Sequence, residues 1–194
     1  MSIFADNTLL INACVRPESR TMRLAQRVLE HLGGKATELD LQREGLRPLT
    51  AETLRERDNI LLRGALDDPM LCYARQFAAA EQIVVAAPYW DLSFPAAVKT
   101  YFEHVNVNRV TFSYGEDGRP VSHCHAKRLY YVVTAGGPIL PPNHGYAYVK
   151  SSAETFYGIP EIECFSAELL DVMGMDVSEI LGNAEAWIDK YFAR

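Results

Sequence analysis

The sequence predicts an α/β fold, a three-layer sandwich in which a five-stranded parallel sheet lies between helices. Three observations lead there. Ile83-Val84-Val85-Ala86-Ala87 is an uninterrupted, β-branched apolar run, the composition of a strand buried on both faces of a parallel sheet. Four further strand-like segments are separated by stretches with apolar residues at helical spacing, an alternation that builds parallel sheets through right-handed crossovers. The 194 residues, 48% hydrophobic and 23% charged, suffice for one domain spanning 1–194 with a substantial core and would be cramped as two.

Residues 8–15 are the first strand-like run, with Leu9, Leu10, Ile11, Ala13, Cys14 and Val15, and Pro17 ends it. Ser19 or Thr21 caps a helix whose Leu24, Ala25, Val28, Leu29 and Leu32 share a face, closed by Gly33-Gly34. Residues 35–41 make a weaker second strand, diluted by Glu38 and Asp40 and so placed toward an edge. The Arg/Glu-rich residues 42–80 lack β-branched runs and predict helices. One runs from a cap at Thr50 or Thr53 to Arg63, the other from Asp67 or Asp68, with Pro69 in its first turn, to near Ala80.

The third strand, 83–87, ends at Pro88. Tyr89, Trp90 and Phe94 follow in a segment that Pro88 and Pro95 keep from being regular, so three large rings sit on a loop at the strand's carboxyl end. Residues 96–105 then place Ala97, Val98, Tyr101, Phe102 and Val105 on one helical face. Residues 110–114 and 119–121 flank a Gly/Asp turn and predict a short hairpin. The fourth strand, 129–134, runs into Ala135-Gly136-Gly137-Pro138. A helix over 146–157 is broken by Gly158 and Pro160, a fifth strand occupies 162–167, and an amphipathic helix over 178–191 closes the chain. On it, Trp187, Ile188, Tyr191 and Phe192 suit core or dimer packing.

The totals exclude several classes. A net charge of -6, with no basic run longer than Lys127-Arg128, argues against a nucleic-acid surface. Cysteines at 14, 72, 124 and 164 form no CxxC pair, which favours free thiols in a reducing compartment. The N-terminal residues carry neither a basic n-region nor a long apolar stretch, so no signal peptide or membrane span is expected and a cytoplasmic location is. His123-Cys124-His125 could converge two imidazoles on one strand face, but no third or fourth ligand is identifiable, so no metal is expected. No G-x-G-x-x-G follows the first strand and no G-x-x-x-x-G-K-[ST] occurs anywhere. Of the common doubly wound orders, that leaves the flavodoxin-like 2-1-3-4-5.

In that order, three loops at carboxyl strand ends share one crevice. Arg16-Pro17-Glu18-Ser19-Arg20-Thr21 puts two hydroxyls and two guanidiniums at a helix N-terminus, where unpaired N–H groups and the helix dipole favour an anion such as a terminal phosphate. The aromatic loop can hold a flat heterocycle by stacking. Thr134-Ala135-Gly136-Gly137 lets backbone N–H groups approach a ligand. Each loop alone is also read as an ordinary cap, core cover or turn. Together they are what flavin mononucleotide (FMN) needs.

These residues carry a resemblance. Ala87-Pro88-Tyr89-Trp90-Asp91-Leu92-Ser93-Phe94-Pro95 followed by Val98-Lys99-Thr100-Tyr101-Phe102-Glu103, then Val110-Thr111-Phe112-Ser113-Tyr114 and Thr134-Ala135-Gly136-Gly137, resembles the FMN-dependent NAD(P)H:quinone oxidoreductase and azoreductase family over nearly the whole chain. The resemblance implies that Ser19, Arg20 and Thr21, with Arg16 as a helper, hold the FMN phosphate. It implies that Pro88, Tyr89, Trp90, Asp91 and Leu92 flank the ribityl chain and isoalloxazine, and that Thr134, Ala135, Gly136 and Gly137 border the ring's far edge. The chain departs from the family where Ala13 or Cys14 replaces an early serine, where Arg16 and Arg20 replace a serine-rich run, and at Pro138-Ile139-Leu140-Pro141-Pro142.

The cofactor then supplies the chemistry, with NADH or NADPH and a quinone, azo or nitro acceptor taking turns at one site. Two residues are candidates for contact with substrate. His144 lies in the third loop, and an imidazole is the side chain suited to proton delivery at physiological pH. Tyr114 matches a family position that reaches a pocket formed with a partner subunit, since family members are homodimers with active sites at the interface. A second reading is an electron carrier, or an ancillary regulatory subunit of a partner such as a transporter. The arginines of the first loop speak against the carrier.

Overall fold

Alternation of side chains along each strand decides the layers. The computed structural model describes residues 7–33 and 36–194, so the expectations that rest on residues 1–6, Gly34 and Lys35 lie outside the described residues. The elements are β1 (Thr8–Asn12), α1 (Arg20–Leu32), β2 (Ala36–Asp40), α2 (Ala51–Leu62), α3 (Cys72–Ala79), β3 (Gln82–Ala86), α4 (Ala96–Val105), β4 (Phe112–Tyr114), β5 (Pro120–Ser122), β6 (Arg128–Thr134), α5 (His144–Ser152), β7 (Glu161–Ala167) and α6 (Val177–Phe192). The main sheet runs β2-β1-β3-β6-β7 with every neighbouring pair parallel, the predicted order, and β4 and β5 pair antiparallel apart from it.

Ile83, Val85 and Ala87 face one way, into a core shared with Leu9, Ile11, Leu129, Tyr131 and Val133 and covered by Phe77, Val98, Tyr101, Phe102 and Val149. Val84 and Ala86 face the other, with Leu10, Tyr130, Val132 and Phe165 under Leu24, Val28, Leu181 and Ile188. Both faces of β3 are therefore covered, which is why its sequence is apolar without alternation.

The helix ends follow local chemistry. Ser19 caps α1, its Oγ accepting from the Met22 N–H at 3.2 Å, and Gly33 closes it at φ 70°, where a side chain is disfavoured. Thr50 and Thr53 cap each other's backbone at the start of α2. Asp68 caps a short 3-10 turn, Pro69–Leu71, that leads into α3. Two of the boundaries that differ from expectation have a clear local cause. The first strand stops at Asn12, whose side-chain oxygen accepts from the Cys14 N–H and turns the chain out of the sheet. The fifth helix starts at His144, two residues early, because Asn143 caps it through Tyr146 N, and its tail, Ala153–Tyr157, widens into a π turn ending at Gly158.

The start of α5 packs tightly. A Cβ on Gly145 would stand 2.6 Å from the Tyr131 hydroxyl and 3.2 Å from the Phe94 ring, so only glycine lets the helix approach the sheet here. Among the described residues no helix is long and apolar enough to cross a membrane, and the four cysteines are free.

Helices α1 and α6 are clamped side by side. Arg23 bonds Glu185 at 2.6 and 2.9 Å, and Arg27 bonds Asp189 at 2.6 and 2.8 Å. His31 reaches Asp189 at 2.7 Å and stacks on Phe192 with ring centroids 4.9 Å apart. The Arg27 guanidinium, aided by His31, holds the Asp189 carboxyl well below the usual range, and Arg23 lowers that of Glu185. A carboxyl depressed in the folded state stabilises above its unfolded pKa, and that stabilisation fades as pH falls. The thermal midpoint should therefore drop between about pH 5 and pH 3, and Asp189→Asn should flatten that slope while leaving the neutral-pH fold intact.

Candidate functional site

A cleft of about 750 Å³ opens at the carboxyl ends of β1, β3 and β6, where the strand order reverses. Its size lies in the range of small-molecule sites. The first predicted loop lines it from Val15 to Thr21, the second through Pro88, Tyr89 and Trp90, and the third through Thr134, Ala135 and Gly136. A fourth segment, Leu170 and Asp171 after β7, completes it and was not foreseen. The signal was available: if three strand ends build the site, the carboxyl end of the fifth strand also belongs beside it.

The first loop leaves β1 under control of Asn12, which also donates to Glu38 at 2.7 Å. It then delivers the N-terminus of α1 to the cleft. The N–H groups of Arg20 and Thr21 there have no acceptor among the described residues and favour an anion, whereas those of Met22 and Arg23 are taken by Ser19. Ser19 spends an oxygen lone pair on Met22 yet keeps its own proton to donate. Thr21 is buried at the cleft, and its hydroxyl pairs with that of Thr134 at 2.6 Å, which joins the first loop to the third. Arg20 also has partners already, the Asp171 carboxylate at 2.7 Å and the Leu170 carbonyl at 3.2 Å. Arg16 makes no ion pair among the described residues. Cys14 lies buried at the base of this loop, and burial pushes its thiol up, so it is neutral and packs as a small apolar group.

The second loop is more regular than two prolines suggested. Ala87 and Tyr89 extend the ladder to Val132 and Thr134, at 3.0 and 2.9 Å. Trp90 and Ser93 then exchange two backbone bonds around Asp91 and Leu92, which have φ of 50° and 66°: a two-residue turn of the kind that needs two left-handed residues. Asp91 and Leu92 thus form a solvent-facing tip and do not line the cleft with Pro88, Tyr89 and Trp90. Phe94 turns inward onto Tyr148, 5.5 Å between centroids.

In the third loop, Ala135, Gly136 and Gly137 give their carbonyls to the N–H groups of Leu170, Asp171 and Leu169. The two glycine N–H groups are given to no described residue. A Cβ on Gly136 would meet the Asp171 carboxylate, which would have to swing aside toward solvent. Gly137 lies just outside the cleft lining.

The two candidates for substrate chemistry are not gathered with this cleft. His144 is exposed at the first residue of α5. Tyr114 projects from the β4–β5 hairpin, 58% exposed, its ring edge-on to Phe112. His123 bonds Ser113, and no group of three or more metal-ligating side chains assembles among the described residues. What the cleft offers is a helix N-terminus, arginines, two ring-bearing side chains and the free Gly136 N–H, a set whose chemistry suits a flat, anionic ligand.

Substitutions at the paired hydroxyls and at the turn test this geometry. Thr21→Val strands the buried Thr134 hydroxyl and should cost about 1–3 kcal/mol in urea unfolding, most of it recovered when Thr134→Val is added. Leu92→Gly removes a left-handed penalty of about 1 kcal/mol, partly offset by chain entropy, and should raise the thermal midpoint, whereas Leu92→Val should lower it.

Comparison with known proteins agrees with this architecture. The model of a family described by its flavodoxin-like fold matches residues 6–192. The chain is 36% identical over 187 residues to an FMN-dependent NADH:quinone oxidoreductase 2 of Clostridium acetobutylicum, covering 90% of this chain and 92% of that one. It is 33% identical over 180 residues to an FMN-dependent NADH:quinone oxidoreductase of Coprothermobacter proteolyticus, covering 86% and 87%. Among solved structures it superposes on an azoreductase from Bacillus anthracis with a TM-score of 0.81 at 23% identity, covering 96% of this chain and 98% of that one. The matched span and the identity to these relatives place the chain in the flavodoxin-like fold family, alongside the FMN-dependent NADH:quinone oxidoreductases.

Proposed function

We propose that the cleft binds FMN and that the protein is an NAD(P)H-dependent oxidoreductase acting on quinones, azo compounds or similar acceptors. One observation carries the reading: the α1 N-terminus, the Tyr89–Trp90 wall and the Gly136 edge meet in one cleft at the strand-order reversal. The residues fit the cofactor. The unspent N–H groups of Gly136 and of Arg20 and Thr21 at the head of α1 are donors awaiting an anionic or carbonyl partner, and the volume suits a ligand of this size.

FMN, when bound, supplies hydride acceptance from the nicotinamide and donation to the acceptor. The chain's own part is positioning. Ser19, Arg16 and the first-turn N–H groups of α1 hold the phosphate, with Arg20 where it is free to turn from Asp171. Pro88, Tyr89 and Trp90 flank the ribityl chain and ring, with Asp91 and Leu92 setting the turn behind them. The Gly136 N–H, with Gly137 beyond it, would border the pyrimidine edge and stabilise negative charge there without a titrating side chain. Thr134 and Ala135 support that edge, and Thr134 anchors Thr21.

A cytoplasmic homodimer belongs to the same reading. Trp90, Leu92, Tyr114, Val121 and Leu140 leave large apolar surface exposed, as a subunit interface would. Tyr114, and His144 as proton donor, then act across that interface. An electron carrier or regulatory subunit is the rival, and the arginines of the first loop favour an enzyme over a carrier.

Purified protein should be yellow, its flavin bands should bleach on NADH or NADPH, and it should turn over a soluble quinone. A colourless protein that takes up no added FMN would sink the reading. Bleaching without quinone turnover would leave the carrier.

A further inference from the structure

We propose that Asp171 is an internal counter-anion that occupies Arg20 until the cofactor phosphate displaces it, so that this aspartate sets how tightly the cleft holds a phosphorylated flavin. The inference rests on the FMN reading above and deepens it.

The observations come from the segment that the sequence reading did not anticipate. The backbone of residues 169–171 is tied to the third loop by N–H bonds from Leu169, Leu170 and Asp171 to Gly137, Ala135 and Gly136, the last at 2.9 Å. That tether plants the Asp171 carboxylate over Gly136, in space a Cβ would need, and opposite the first loop. Arg20 reaches across to it at 2.7 Å and to the Leu170 carbonyl at 3.2 Å. The charges lining the cleft are Arg16 and Arg20 against Glu18 and Asp171, so they sum to zero, and an approaching phosphate meets one guanidinium, that of Arg20, already engaged.

Magnitudes decide that the exchange can happen. The Arg20–Asp171 pair is solvent-accessible, with side chains 38% and 64% exposed, and pairs of this kind are weak. A phosphate dianion at a helix N-terminus gains the guanidinium, the dipole and unpaired N–H groups together, so it outcompetes a single carboxylate. The chain still loses part of that gain to freeing Arg20 and to repulsion between the phosphate and Asp171. Removing the carboxylate should therefore tighten binding of the phosphorylated flavin selectively.

The test measures dissociation constants from the fluorescence of flavin released on dilution of the loaded chain, for FMN and for riboflavin, which has the same ring and no phosphate. Asp171→Asn should tighten FMN by roughly 5- to 20-fold at low ionic strength and change riboflavin less than about 2-fold. Asp171→Ser should behave alike, and the gain should shrink in an Arg20→Ala background, as coupled residues require. The proposal is overturned if the wild-type chain binds FMN and Asp171→Asn leaves that affinity unchanged, weakens it, or tightens riboflavin equally. A wild-type chain that binds neither flavin overturns the functional reading as well, so the two failures are told apart by the wild-type measurement.

Discussion

The parallel ladder β1-β3-β6, buried on both faces, is the constraint from which the rest follows. A strand with two apolar faces has no side chain to spare for chemistry, so polar function is driven to its ends. All crossovers enter from the same end, so the carboxyl ends share one rim. The reversal of order between β1 and β3 leaves a gap there that no helix covers. The cleft is a by-product of the topology, furnished afterwards by loop residues.

Those loops do not act separately. Thr21 and Thr134 join the first to the third, Tyr89 joins the second to the third through the Thr134 carbonyl, and the segment after β7 is hydrogen-bonded along the third. Thr134 is thus the hub, holding two loops through its hydroxyl and its carbonyl. Such cross-bracing pre-organises donors before a ligand arrives, which lowers the ordering cost of binding. It also explains why two residues that read as phosphate ligands, Thr21 and Arg20, are engaged with protein partners.

Most of the fold was legible because it rests on periodicities of two and 3.6 residues, capping chemistry and proline stops. The apolar run 83–87, the Ser19 cap and the Gly33 stop each leave a local signature. The three loops of the cleft were legible for the same reason, since each follows a clear strand. What escaped is long-range. The Arg20–Asp171 pair spans 151 positions and the Thr21–Thr134 pair 113, and no local pattern marks either. The turn at Asp91-Leu92 escaped because it lacks the Asn-Gly or Asp-Gly pair that announces such geometry. The early start of α5 escaped because Asn143 follows a proline pair and reads as loop until its cap bond is seen.

The contact at Gly145 bears on how this scaffold can be recombined. Tyr131 on the sheet, Phe94 behind the aromatic loop and Gly145 at the head of α5 fit one another as a set, although they lie in three separate stretches of chain. A chimera that imports the 138–150 segment from a relative would have to bring a glycine to that position. Otherwise it must trim the Tyr131 ring, because a methyl group there has nowhere to go. The natural unit of exchange in this protein is consequently a spatial cluster, and a crossover point chosen by loop boundaries alone would cut through it.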